Sequence, residues 1–288
     1  MNRRIPIPGH FLTANGATER SIAAVADVKI RAYAPNFKPI DLTSDEYRAL
    51  TALWGLYDEH GYTQATFDTG ISLTPYELCK RMWYVPDGQG RFGMKAVNAS
   101  RRALLSLAEK KSTIYFTRFK RKQQGKNLYD AVVVPNCPLI QIVYELSDVT
   151  KVELESGQLI PNKTRIHVRI QPFFYCNNYF KLFEAQFYPR LKAILKKSDR
   201  RVSKFHWRFA LWRLQQGSHR KSAEISVDKL ALTLKLPSDL AHRTRTRNIV
   251  RQLYEDFRKF GDISSYQIDV AAKSGGTKDV LMFAGQLG

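Results

Sequence analysis

The sequence predicts an α+β fold, mainly α, in which one order of elements occurs twice: three helices and then a two-stranded hairpin. Three observations predict it. Apolar residues return at helical spacing over 42–60, 94–111, 203–216 and 238–260. Runs rich in β-branched and aromatic residues, Ile114–Val134 and Ile263–Phe283, follow the second and fourth of these stretches. Glycine or proline stands at most joints, Gly61, Pro75, Gly93, Gly125, Pro237 and Gly261 being the clearest.

Residues 1–41 read as an N-terminal arm, because Pro6, Pro8, Gly9, Asn15-Gly16, Pro35 and Pro39 break any regular element; Ile22 to Tyr33 is an edge-strand candidate. From Leu42 the pattern changes. Thr43 supplies an N-cap ahead of Asp45 and Glu46, and Tyr47, Leu50, Leu53, Trp54 and Tyr57 form one apolar face. Ile71–Leu73 is a short strand. Thr74-Pro75 then opens a second helix with a cap and a proline at its first position. After the loop Pro86–Gly93, Met94–Lys111 is a third helix with Val97, Leu104, Leu105 and Leu107 inward. Ile114–Phe119, a turn at Gln123–Lys126 and Tyr129–Val134 make the first hairpin, which Leu139–Tyr144 extends.

Val152 to Ile170 alternates polar and apolar residues, which predicts a connecting hairpin closed by Pro172. Asn178 to Lys197 reads as an aromatic helical stretch broken or kinked at Pro189. Ser203–Gln216 is a strong helix, Ser226–Leu234 a short one that stops before Pro237, and Ser238–Phe260 a long one that Gly261 ends. A second hairpin follows, with Lys273-Ser-Gly-Gly-Thr-Lys278 as its turn. Helix, turn, basic helix and hairpin is the order of a winged helix-turn-helix, so the expected architecture is two such domains in tandem.

Charge restricts the partner. Forty-six Lys plus Arg against 26 acids give a net +20, with a pI near 9.9, which calls for a polyanion. Ribosomal and membrane-surface proteins share that balance, so charge alone does not choose. Cys79, Cys137 and Cys176 lie far apart, without zinc-ligand spacing, and their odd number argues against a disulfide framework. No metal or cofactor is expected. The start Met1-Asn-Arg-Arg-Ile-Pro-Ile-Pro-Gly lacks a signal peptide's apolar run, and no stretch reaches the roughly 20 apolar residues of a membrane span, so a cytoplasmic location is expected.

The helix at 238–260 carries the sharpest chemistry. Arg243, Arg245, Arg247 and Arg251 alternate with Thr244, Thr246 and Asn248 in its first half. At about 100° per residue, Arg243, Arg247 and Arg251 fall in line. The first residues of such a second helix meet base edges, arginine matching guanine and asparagine adenine. Lys273 and Lys278 flank the following turn. In the first half of the chain, Lys95, Arg101 and Arg102 lie on the third helix, and Arg118, Lys120, Arg121, Lys122 and Lys126 on its hairpin, where lysines suit phosphate contacts. A solvated basic face competes with each of these readings. A third run (Lys192, Lys196, Lys197, Arg200, Arg201, Lys204, Arg208, Arg213) mixes backbone contacts with ordinary surface.

Enzyme signatures are largely missing. Gly88-Gln-Gly90-Arg-Phe-Gly93 matches a dinucleotide-binding spacing but precedes a basic helix and lacks the second strand and acid, so a turn is the better reading. Tyr175 and Tyr179 have the spacing of some DNA-nicking nucleophiles, yet no histidine pair accompanies them, and the chain is expected not to be an enzyme.

Leu73-Thr-Pro-Tyr-Glu-Leu78, the hairpin Ile114–Val134 and the Arg-rich helix 238–260 together resemble the theta-type, iteron-binding plasmid replication initiators, over Leu42–Tyr144 and Phe173–Phe283. The resemblance implies binding to direct repeats in double-stranded DNA at an origin, origin opening, a homodimer that represses its own promoter, and recruitment of host helicase and DnaA. It implies a first winged-helix domain (42–150) for dimerisation and backbone contacts, a connecting hairpin or linker (151–172), and a second winged-helix domain (173–288) that reads sequence. The arm is longer than a minimal winged helix needs. A tandem winged-helix transcriptional regulator would share these features, and a nicking enzyme acting through Tyr175 or Tyr179 is the third alternative.

Overall fold

A computed structural model describes residues 4–8, 34–37, 41–61, 66, 69–155, 163–170, 180–184, 186–216, 220–236, 243–271 and 277–284. It is an α+β protein of helices with small antiparallel sheets, and the chain divides into two units, one of residues 5–180 and one of residues 1–4 with 181–288. In the first half lie β1 (Arg4–Pro8), β2 (Ala34–Phe37), α1 (Ser44–Glu59), β3 (Ile71–Leu73), α2 (Pro75–Arg81), α3 (Met94–Glu109), β4 (Lys111–Gln123), β5 (Lys126–Pro138), β6 (Ile140–Leu146), α4 (Lys151–Glu155) and β7 (Thr164–Ile170). The second half holds β8 (Phe180–Glu184), α5 (Phe187–Lys196), α6 (Lys204–Gln215), β9 (Ser222–Ile225), α7 (Val227–Leu234), α8 (Arg243–Phe260), β10 (Ile263–Ala271) and β11 (Thr277–Phe283). The candidate edge strand at 22–33 lies outside the described residues.

Local chemistry sets the helix starts. Thr43 and Glu46 form a reciprocal capping box on α1, and Thr74 and Glu77 another on α2, where Pro75 takes the first position. Glu46 has a second task. It is buried, it accepts from Ser106, and Lys110 Nζ lies 3.0 Å from it, so the cap also joins α1 to α3. Burial pushes the Glu46 carboxyl up, but these donors outweigh it and hold the group below the usual carboxylate range.

The core of the first unit lies between α1–α3 and the sheet β3-β7-β6. Leu53, Trp54, Leu78, Leu104 and Leu107 pack with Ile71, Ile166 and Val168, each at most 3% exposed. The Tyr57 hydroxyl accepts from the Ile170 amide (3.0 Å) and donates to the Val168 carbonyl (3.3 Å), so the buried phenol is satisfied. Gly70 is required at the entry to β3: its φ is +75°, and a Cβ there would lie 2.7 Å from the Val168 carbonyl oxygen.

The second unit repeats the arrangement around α6. Trp207, Phe209, Ala210 and Leu214 are buried, with α5, α7 and α8 supplying Phe187, Leu230, Leu234, Val250, Leu253 and Phe257. The Phe209 and Phe257 rings are 4.6 Å apart and Phe187 and Trp207 4.9 Å. That ring cluster goes with the burial of α6 nearly all round, Trp207 to Leu214 included.

Three expectations change. Leu139–Tyr144 does not extend the β4–β5 hairpin; β6 leaves it and pairs with β7. Val152 to Ile170 is not a hairpin but the short helix α4 and then β7, the central strand between β3 and β6. The alternation there reflects a strand whose Thr164, Ile166, Val168 and Ile170 all face the core. Asn178 to Lys197 is not a broken helix either. Strand β8 comes first, and Pro189 occupies the first turn of α5, where a missing N–H breaks no intrahelical bond.

The two units match in connectivity. Each runs helix, strand, helix, helix, and the strand before the second helix ends a three-stranded sheet: β3-β7-β6 in one, β9-β11-β10 in the other. By that connectivity β6–β7 is the counterpart of β10–β11. The β4–β5 hairpin, which pairs with β2, is an insertion. A further correspondence joins side chain to main chain. Arg48, the fifth residue of α1, donates through Nε to the Met82 carbonyl at the end of α2 (2.9 Å); Arg208, the fifth residue of α6, donates to the Leu234 carbonyl at the end of α7 (2.7 Å).

Candidate nucleic-acid interface

Helix α8 is two-faced by composition. Thr246, Val250, Leu253, Tyr254, Phe257 and Phe260 recur at three- and four-residue spacing and are all buried. The opposite face leaves Thr244, Arg245, Asn248, Arg251 and Gln252 exposed, with Arg247 half-buried. Thr246 is thereby corrected: expected among the groups that meet a ligand, it is 4% exposed and turns inward. Four residues before Val250, it shares that residue's side of the helix. Arg243 opens the described helix, and its side chain lies outside the described residues.

The β10–β11 hairpin stands beside this face. Val250 and Val227 line a crevice with Ile268 and Asp269, and the Arg247 and Arg251 side chains border it. Arg247 lies 3.7 Å and Arg251 3.3 Å from the Asp269 carboxylate. Asp279, on β11, is buried at 1% exposure. It accepts from the Tyr254 hydroxyl (2.9 Å) and the Asp269 amide (3.0 Å). Burial, the larger effect, pushes the Asp279 carboxyl up, and the two hydrogen bonds offset only part of that. Burial likewise raises the Tyr254 phenol. Lys278 is half-buried and bound to Glu224, while Lys273 lies outside the described residues.

On the buried side of α8, Asp256 is bound by Arg200 and His206, the latter at 3.1 Å. Burial pushes its carboxyl up, but the hydrogen bonds from His206 and Arg200 hold it below the ordinary range. Three members of the third basic run are thus structural. Arg200 anchors Asp256, Arg208 serves the end of α7, and the buried Arg213 pairs with Asp262 at 3.2 Å while stacking on Phe283. Lys192, Lys196, Lys197 and Arg201 are exposed.

On the first unit, Lys95 and Arg102 are exposed and Arg101 half-buried along α3. With Asn98 and Leu105 they line a shallow depression of about 560 Å³. Lys120, Arg121 and Lys122 are exposed near the end of β4, opposite Leu128 and Asn127 of β5; the Arg118 and Lys126 side chains lie outside the described residues. These hairpin residues sit on the insertion, not on the counterpart of β10–β11. The Gly88–Gly93 stretch is a turn in which the Gln89 and Arg91 amides donate to the Asp87 carboxylate and the Gly90 amide to the Asp87 carbonyl. Cys79 is buried, and burial pushes its thiol up, against use as a nucleophile. Among the described residues no group of three His, Cys, Asp or Glu could hold a metal ion, and no helix is long and apolar enough to cross a membrane. Tyr175 and Tyr179 lie outside the described residues.

The sequence reading missed Asp269 and Asp279. Neither carries a local signal: Asp269 sits in a bulge of β10, and Asp279 on β11 is joined to it and to Tyr254 of α8 only by hydrogen bonds between distant parts of the chain. What the α8 face offers is a row of hydrogen-bond donors: guanidinium forks and one carboxamide beside the β10–β11 pair.

No protein-family model matches the sequence, and no curated protein sequence matches it. Among solved structures, a selenomethionine derivative of domains 2 and 3 of RctB aligns with a TM-score of 0.46 at 10% identity, covering 98% of this chain and 99% of that one. A second crystal structure of RctB domains 2–3 aligns at 0.44 and 13% identity, with 93% of each chain covered. A likeness of that size carries no functional argument.

Proposed function

We propose that both units are winged helix-turn-helix modules and that the chain is a sequence-specific double-stranded-DNA-binding protein, a plasmid replication initiator that binds origin repeats and helps to open the origin. One observation carries the reading: α8 turns Arg245, Asn248 and Arg251 outward from a helix whose other face is sealed into an aromatic core, with the β10–β11 ribbon alongside. The helix backbone is thereby rigid where its donors must be accurate. Arginine and asparagine are the residue types that read guanine and adenine in the major groove. Exposed cations on α3 and on the β4–β5 insertion, within a chain of net +20, supply sequence-independent attraction to phosphate.

Two linked modules strengthen one another, because the second binds at a raised effective concentration. The resemblance in element order to theta-type initiators supports repeats at an origin as the target. It also supports a homodimer away from the origin, with host helicase and DnaA as recruited partners. In this reading the chain binds and deforms DNA without breaking bonds.

Selection of duplexes from a random pool by the full chain tests the reading, and repeated half-sites are the expected product. Failure to enrich any sequence, with binding equal on all duplexes, would remove it. A plasmid carrying the gene and its flanking DNA should then replicate; repression without replication would favour a transcriptional regulator. Supercoiled DNA should stay uncut, whereas nicking abolished by Tyr175→Phe or Tyr179→Phe would point to an enzyme.

A further inference from the structure

We infer that Asp269 is a positioning residue that sets sequence discrimination: it holds the guanidinium groups of Arg247 and Arg251 beside the groove-facing side of α8 and restrains them from closing on phosphates of any sequence. The inference rests on the duplex-binding reading above.

The geometry is specific. One carboxylate serves two arginines a helical turn apart, at 3.7 and 3.3 Å, and all three side chains remain 36–47% exposed. Main-chain structure puts the carboxylate there. The β10–β11 register slips between Gln267 and Val270, and Asp269 has a left-handed φ of +54°. Its amide donates to the buried Asp279, which Tyr254 of α8 also binds. Helix and bulge are therefore tied together beneath the ion pairs. Val227, Val250 and Ile268 line the same crevice.

An arginine on a basic surface binds backbone phosphate wherever it meets it, which adds affinity but no discrimination. A guanidinium has five N–H donors, so one edge can face Asp269 while others remain for an acceptor in the groove. The acid weakens attraction to every phosphate alike. It also lowers the rotamer entropy that an oriented base contact must give up. Together these effects penalise a wrong duplex more than a right one.

The test uses the full chain and two probes, a duplex selected from a random pool and the same duplex scrambled. Asp269→Asn and Asp269→Gly both remove the charge, and both residues tolerate positive φ, so the bulge survives. Each should tighten binding to the scrambled duplex by roughly 2- to 5-fold and change the selected duplex less, shrinking the preference. Asp228→Asn, an equal charge change at an exposed site on α7, should shift both duplexes together. In an Arg247→Ala/Arg251→Ala background the effect of Asp269→Asn on preference should vanish. An unchanged preference in the Asp269 variants overturns the inference and leaves the duplex-binding reading standing. A wild-type chain with no preference overturns both. Loss of the thermal transition in both variants would make Asp269 a structural residue and equally overturn it.

Discussion

The Tyr254 hydroxyl donates to Asp279 across 2.9 Å, joining the middle of α8 to β11 through two buried side chains. Asp279 spends its other oxygen on the Asp269 amide. Tyr254→Phe should therefore leave a buried carboxyl short of a donor. An unsatisfied buried group costs about 1–3 kcal/mol, and the urea midpoint should fall accordingly. An unchanged midpoint would show that the hydroxyl contributes nothing.

The same pair predicts opposite behaviour from ordinary acids. Asp279 is raised in the folded state, so between the unfolded aspartate value of about 3.9 and its folded value the native state holds the extra proton. Stability from this group falls as pH rises through that window. Asp256 and Glu46 are lowered, so their contribution is present above the unfolded value and is lost as pH falls through the folded one. Asp279→Asn should abolish the decline above pH 4 while leaving the acid-side loss, as read from denaturation midpoints across pH 2–8. At the alkaline end the raised Tyr254 phenol predicts falling stability above pH of about 10.

Arg245 and Lys122 are both exposed, on α8 and β4 respectively, and should fail differently. Arg245→Ala should cost about 1–3 kcal/mol on the selected duplex and relax preference at one base pair. Lys122→Ala should weaken selected and random duplexes equally and lower the salt slope by about one. Fluorescence anisotropy over a salt series separates the two; parallel losses for Arg245→Ala would remove it from base reading.

Arg48 and Arg208 occupy equivalent positions in their units, each buried against the last carbonyls of the following helix. Substitution by Met keeps much of the apolar stem and removes the donor, leaving a buried carbonyl without its arginine. Each change should destabilise by about 1–3 kcal/mol, measured by chemical denaturation. A shift confined to one variant would mean that the equivalence is only topological.

Much of the helical skeleton was legible because its signals are local. Thr43/Glu46 and Thr74-Pro75 place helix starts through contacts within three residues, and Gly61 and Gly261 mark ends at positive φ. The two-faced character of α8 likewise follows from spacing alone. Thr246 shows the limit: charge alternation put it with its neighbours, but only the width of the buried stripe shows that it faces the core.

By itself, then, the sequence determined where helices begin, which faces they bury and that the surface is strongly basic, since these depend on a few neighbouring residues or on composition. Only tertiary structure decided that β6 leaves the β4–β5 hairpin for β7, that Arg208 and Arg213 serve the core, and that Asp269 reaches the arginines of α8. Strand partners and ion pairs join residues far apart in the chain, and a bulge shifts a side chain without leaving a mark in the periodicity; that information resides in the packing.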